Sequence, residues 1–230
     1  MDRGLYVAAA GMIAGQVRQD QLAGDLANAA TPGYKRDRTT QASFGDVLLS
    51  NTRSGQAVGP VGYGPYADAV TTDLRPQALR ETGEPLDFAI AGEGFFAVRT
   101  PDGVRYTRNG QFQSSARGTL VDAFGHDVLG PGGAPVRVDG EGRADPRAIA
   151  VVALAGPRKA GEGLWTGRPA GAADGRVQQG ALEGSGVDPA RAMVEMIAAL
   201  RAYEAGQKSI TTIDETLGRA ATQVGNAGGG

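Results

Sequence analysis

Residues 2–30, DRGLYVAAAGMIAGQVRQDQLAGDLANAA, and residues 188–224, DPARAMVEMIAALRAYEAGQKSITTIDETLGRAATQV, decide the fold. Both stretches repeat apolar residues at alternating spacings of three and four. In the first, the repeat positions hold Leu5, Ala8, Met12, Gly15, Gln19, Leu22, Leu26 and Ala29. In the second, they hold Met193, Met196, Leu200, Tyr203, Gln207, Ile210, Asp214, Leu217, Ala221 and Val224. That spacing makes a narrow apolar seam along one side of a helix. A seam at each terminus can bury itself only against the other terminus or against neighbouring subunits. The expected assembly seam is therefore Leu5, Met12, Leu22 and Leu26 with Met193, Met196, Leu200, Tyr203, Ile210 and Leu217. Such a chain points to an assembly protein before it points to an enzyme.

The first helix is expected to start at Asp2, whose carboxylate can cap it. It is expected to end near Ala30, because Thr31-Pro32-Gly33 follows and proline disfavours helix in the residue before it. Its length would be roughly 40 Å at 1.5 Å per residue. Gly4, Gly11, Gly15 and Gly24 lie inside it, and each costs about 1 kcal/mol relative to Ala. A helix with that load needs packing partners to form. The second helix is announced by Asp188-Pro189, a cap residue followed by proline at the first helical position. Glu204 with Lys208 and Glu215 with Arg219 add favourable pairs four residues apart.

Outward from the helices the chain reads as glycine-rich β structure, with 37 glycines in 230 residues. From Tyr34 to about Arg75 it is polar, and the spacing predicts an extended connector with weak strands. Strands are predicted at Leu86–Ile90, Phe95–Arg99, Val104–Arg108, Thr119–Val121, Val136–Val138 and Ala148–Leu154. Asn109-Gly110 is a hairpin signal. The fold class is α+β: long N- and C-terminal helices pairing as a coiled-coil-like inner domain, with a central antiparallel sandwich or barrel. The expected domains are a helix over 1–33, a connector over 34–75, a β domain over 76–180 and a second helix over 181–230. The tail from Gly225 to Gly230 is expected to be disordered.

Composition excludes several function classes. Net charge is −2 with both signs interspersed, which offers no basic face for nucleic acid. Cysteine is absent, so thiolate chemistry and Cys-held metal are out. No run of apolar residues is long enough for a transmembrane helix, and no basic-then-apolar leader opens the chain. Gly92-Glu93-Gly94-Phe95-Phe96-Ala97 has dinucleotide-fingerprint spacing. Its glycines are followed by β-favouring residues rather than a helix start, so a turn is expected. His126 is the one histidine, too few for a zinc site, and a turn or strand surface is its expected place. Arg3, Lys35, Arg36, Arg38 and Arg53 form no dense stripe and are expected on the solvated surface. No catalytic residue, metal, cofactor, small-molecule substrate or nucleic acid is expected. The other classes weighed are a secreted adhesin-like or filament-cap β protein and a hydrolase hidden in the β domain.

Several stretches go beyond pattern. Leu26-Ala27-Asn28-Ala29-Ala30-Thr31-Pro32-Gly33-Tyr34-Lys35 resembles the N-terminal signature of the bacterial flagellar rod and hook family. Leu86–Ile90 with Gly92–Phe96, and Tyr106-Thr107-Arg108-Asn109-Gly110-Gln111-Phe112, resemble its central blocks. Leu182–Val187 and Arg201–Glu204 resemble its C-terminal signature. Within the family, Ala181–Ser185 and Asp214–Ala220 look most like the proximal-rod member, with the distal-rod member as the close alternative. The resemblance implies a structural axial component of the basal body that polymerises through its terminal helices. It implies other copies, other rod proteins and the flagellar type III export apparatus as partners, and a periplasm-spanning location. It also makes Asn28, Thr31, Pro32, Gly33 and Tyr34 an expected assembly turn leading out of the first helix.

Overall fold

The computed structural model describes residues 3–43, 47–50, 57–61 and 65–227. The chain divides into two compact units. One holds the stretches up to Ala27, from Asp37 to Thr72, and from Pro189 onward; the other holds Asn28–Arg36 and Asp73–Asp188.

The first unit contains α1 (Arg3–Ala27), β1 (Asp37–Ser43), β2 (Val47–Ser50), β3 (Ala57–Val61), β4 (Pro65–Thr72) and α2 (Pro189–Ala227). A Cβ on Gly206 would lie 2.8 Å from Met12, and Arg18 lies 3.9 Å from Glu195, so α1 and α2 run antiparallel. α2 has 39 residues against 25 in α1. Its last turns outrun α1, and Asp214–Ala220 are all exposed. α1 stops at Ala27, short of the expected Ala30, because Asn28 begins a turn in which its carbonyl accepts the Thr31 N–H at 3.1 Å. Asx and Thr residues favour such local bonds over helix. The expected Asp2 cap lies outside the described residues. α2 continues through Gly225-Asn226-Ala227, so that part of the tail expected to be disordered is helical; residues 228–230 lie outside the described residues. Once nucleated, a helix gains one bond per added residue.

The stretch expected as a connector carries antiparallel ladders, β1 with β4 and β2 with β3. Gln21 ties α1 to this layer. Its amide donates to the Asp37 carbonyl, and its oxygen accepts the Thr39 N–H at 3.1 Å and the Thr39 hydroxyl. The weak strands expected in this connector are these ladders, β1 being polar and β2 and β3 carrying Val47, Leu48, Leu49, Val58 and Val61.

The second unit contains β5 (Leu79–Glu81), β6 (Phe88–Ala91), β7 (Phe95–Thr100), β8 (Gly103–Thr107), β9 (Gln113–Ser114), β10 (Leu120–Val121), β11 (Asp127–Val128), β12 (Val151–Gly161), β13 (Leu164–Ala172), β14 (Arg176–Gln179) and β15 (Ala181–Glu183). β12, β13, β8, β7, β11, β10 and β9 form one sheet in that order, and β12 also pairs with β7. The second pairing closes β7, β8, β13 and β12 into a small barrel, which removes its sheet edges. β7 is buried on both faces. Phe96 and Val98 join Phe88, Phe112 and Leu120 on one side, and Phe95 and Ala97 join Tyr106 and Trp165 on the other, as strand alternation requires. Gly92 and Gly94 lie between β6 and β7, with φ of 114° and 124°.

One local expectation needs correction. Asn109-Gly110 is no hairpin turn, since β8 pairs with β7 and β13 and not with β9. Gly110 is there because its backbone lies against β6: its carbonyl accepts the Phe88 N–H at 2.9 Å. The β12–β13 ribbon was not anticipated. It turns through Glu162 and Gly163 at φ 53° and 72°, a two-residue turn with both positions left-handed.

The chain passes between units at four places. On the second unit those four ends are bonded to one another. Ser185 donates to the Asn28 carbonyl at 2.9 Å. Gly186 N–H reaches the Tyr34 carbonyl at 2.8 Å, and Asp73 N–H reaches the Arg36 carbonyl at 2.9 Å. Among the described residues no helix is long and apolar enough to cross a membrane.

Candidate functional site

Small residues fill part of the interior of the helix pair. Ala14 is buried on α1, and Ala192 and Ala199 are buried on α2. A groove between the helices is lined by Gly11, Ala14 and Gly15 on one side and Ala198, Ala199 and Ala202 on the other. Large residues point away: Tyr6, Ile13 and Val17 on α1, with Met193, Ile197 and Leu200 on α2, are all exposed.

Of the expected seam on α1, Leu22 is buried, and Leu5, Met12 and Leu26 are half-buried. On α2, Met196, Tyr203 and Ile210 are half-buried, whereas Met193, Leu200 and Leu217 are exposed. The inward seam therefore uses Ala199 and Gly206 where the sequence favoured Leu200 and Gln207. It is displaced by one residue because the helices approach closely at Gly206, where an added Cβ would lie 2.8 Å from Met12. Leu22→Asp is expected to destabilise the helical unit by about 3 kcal/mol or more, since a carboxylate buried there has no partner. Far-ultraviolet circular dichroism should fall while fluorescence of Trp165, in the barrel, holds. Unchanged helicity would detach Leu22 from the seam.

The expected turn lies in the second unit. Gly33 is buried at φ 67°, and its N–H reaches the Glu183 carbonyl at 2.9 Å. The Tyr34 ring takes the Lys159 ammonium at 4.3 Å. Pro32 is half-buried, and Thr31 contacts Asn28 through both hydroxyl and N–H.

Beside this turn lies a cluster that composition did not reveal. Lys35 and Glu183 are each 1% exposed and Arg108 is 3% exposed. The Lys35 Nζ is 2.7 Å from Glu183 Oε1, which also accepts the Gln77 N–H at 2.8 Å. Arg108 reaches Glu183 Oε2 at 3.2 Å and the Gly92 carbonyl at 3.0 Å. Lys35 also donates to the Arg75 carbonyl at 2.8 Å. Burial pushes the Lys35 ammonium below its usual range, and the Glu183 carboxylate opposes that push. Burial acts on Arg108 in the same direction. Lys35 was expected on the solvated surface, and that expectation is overturned. Arg36 is half-buried and Arg38 exposed; Arg53 and the Arg3 side chain lie outside what is described. His126 is 2.9 Å from Asp122, whose other oxygen accepts the Phe124 and His126 N–H groups, so the pair staples the turn between β10 and β11.

An antiparallel helix pair spliced from both chain ends, with a small-barrel unit inserted between them, defines the class: a discontinuous α+β protein whose termini share one unit. Comparison with known proteins then narrows it. Residues 89–151 match the flagellar hook protein FlgE/F/G D1 domain, and residues 178–223 match the flagellar basal body rod FlgEFG protein C-terminal region. The chain is 31% identical to the basal-body rod protein FlgG of Bacillus subtilis, over 94% of this chain and 97% of that protein. It is 34% identical to FlgG of Agrobacterium fabrum, over 93% and 96%. It is 31% identical to the rod protein FlgF of Caulobacter vibrioides, over 97% and 98%. The chain belongs to the flagellar basal-body rod family.

Proposed function

We propose that this protein is a structural subunit of the flagellar rod that polymerises through α1 and α2 and so helps the rod transmit torque. The observation that carries this is the size inversion of the helix pair. Burying apolar area stabilises by about 25 cal/mol per Å², and here Tyr6, Ile13, Met193, Ile197 and Leu200 are left outside while Ala14, Ala192 and Ala199 are buried. A Cβ on Gly11, Gly15 or Gly24 would meet nothing within 4 Å, so these glycines weaken α1 without being needed by the chain's own packing. Open notches beside exposed large residues suit coiled-coil-like contacts in which one copy's residues enter the next copy's groove. Such head-to-tail contacts generate open helical arrays. In the same proposal the helical unit forms the inner tube, and the chain reaches the rod through the flagellar type III export apparatus. Ala181–Ser185 and Asp214–Ala220 favour the proximal-rod position of FlgF-type members, with the distal-rod position of FlgG-type members as the alternative.

The test is the double substitution Ile13→Glu with Ile197→Glu, at sites 64% and 53% exposed. The purified variant should keep its helicity, since the chain's own packing uses neither residue. Its incorporation into purified basal bodies should fall at least about tenfold, as for loss of interface anchors, while export continues. Normal motility would remove the outward faces from the assembly.

A further inference from the structure

We infer that Glu183 is an electrostatic latch that makes Asn28–Arg36 and Ala181–Val187 order as one piece on the barrel unit. The inference goes beyond the rod assignment and concerns only how this unit closes. Two cations, Lys35 and Arg108, are buried on opposite sides of one carboxylate. Lys35 belongs to the strap that follows α1, Arg108 to the end of β8, and Glu183 to β15, which leads toward α2. Asp73 and Glu93 act on the two cations only at longer range. Without Glu183 in place, docking the strap would bury Lys35 near Arg108 with no carboxylate touching either. Burying an unpaired charge is strongly unfavourable, so the strap is held off until β15 arrives.

The backbone carries the same coupling. Gly33 N–H bonds to Glu183, Gly184 N–H to Ala78 and Gly186 N–H to Tyr34. The Gly33 and Gly186 bonds join the two segments and exist only when both are docked, whereas the Gly184 bond anchors the β15 side to Ala78. Lys35 and Glu183 are 148 residues apart in sequence, so during synthesis the strap waits for nearly the whole barrel to be made. The latch thus sets an order of events: the barrel can form first, and the strap and β15 close together afterwards.

Amide hydrogen exchange on dilute full-length protein tests this, comparing Glu183→Gln with the parent. The amides of Gly33, Gly184 and Gly186 should speed up together, by about 100-fold or more. Those of Leu120 and Leu129, bonded inside the barrel, should change far less. Acceleration confined to Gly184, or equal at all five amides, would overturn the latch. Should Glu183→Gln fail to fold, Lys35→Met with Glu183→Gln decides, because it removes one cation along with the carboxylate. Recovery of folding, with the two segments exchanging in step, supports the latch; a double variant as unfolded as the single one overturns it.

Discussion

Gly110→Ala is expected to unfold the barrel unit. A Cβ at this position would lie 1.5 Å from the Phe88 carbonyl oxygen, 2.7 Å from its carbon and 3.3 Å from the Phe96 ring. The first two atoms are backbone and cannot rotate away. Relief would require separating Gly110 from β6, which breaks the 2.9 Å bond from Phe88 N–H to the Gly110 carbonyl. It would also pull Phe88 away from Phe112, whose ring centroid is 6.2 Å distant. Overpacking against a fixed backbone costs upwards of about 4 kcal/mol, a large share of a typical domain stability of about 5–15 kcal/mol. Trp165 fluorescence in a urea titration should show the transition moved to far lower denaturant or absent. Gly132→Ala is the control, because a Cβ there meets nothing, and it should shift the midpoint little. A Gly110→Ala protein as stable as its parent would contradict the close approach of these backbones.

Gly33→Ala is expected to have the next largest effect and to act on the turn that follows α1. The residue is left-handed at φ 67°, and a Cβ there would sit 2.3 Å from the Arg108 carbonyl oxygen. The left-handed conformation alone costs about 1–2 kcal/mol for a residue with a Cβ. Displacement from Arg108 adds more, since it loosens the bond from Gly33 N–H to Glu183. Gly83→Ala separates the two contributions: its φ is 75° and its added Cβ meets nothing, so it should lose only the conformational part. Gly33→Ala should lose about 3 kcal/mol or more, and cells carrying it should be non-motile with the protein missing from basal bodies. Pro32→Ala should be mild by comparison, because Pro32 is only half-buried. A Pro32→Ala phenotype as severe as that of Gly33→Ala would shift the weight of the turn onto the proline.

The two helices and the barrel strands β6, β7 and β8 were legible because each carries a strong period or apolar run. The face that α2 turns inward was not. Met193, Leu200 and Leu217 outrank Ala192, Ala199 and Gly206 on any scale of hydrophobicity, so a single sequence selects the larger set. Both sets are apolar, and what separates them is which neighbour each one meets. The helices approach closely at Gly206, where an added Cβ would lie 2.8 Å from Met12, so that position takes a small residue and the bigger side chains lie off the contact. The charge cluster was illegible for a different reason. Lys35 and Glu183 look like ordinary surface residues until the fold removes water from both. Asn109-Gly110 misled because glycine serves two purposes, turning a chain and letting backbones approach, and spacing alone does not distinguish them.

The four cross-bonded chain ends have a mechanical consequence. Force carried along a helix that reached the barrel unit by one covalent strand would peel that strand bond by bond. Here the load enters through four strands in parallel, and each is bonded to another at the point of entry, Asn28 to Ser185, Tyr34 to Gly186 and Arg36 to Asp73. Pulling on one crossing therefore loads its bonded partner as well, which a single tether would not do.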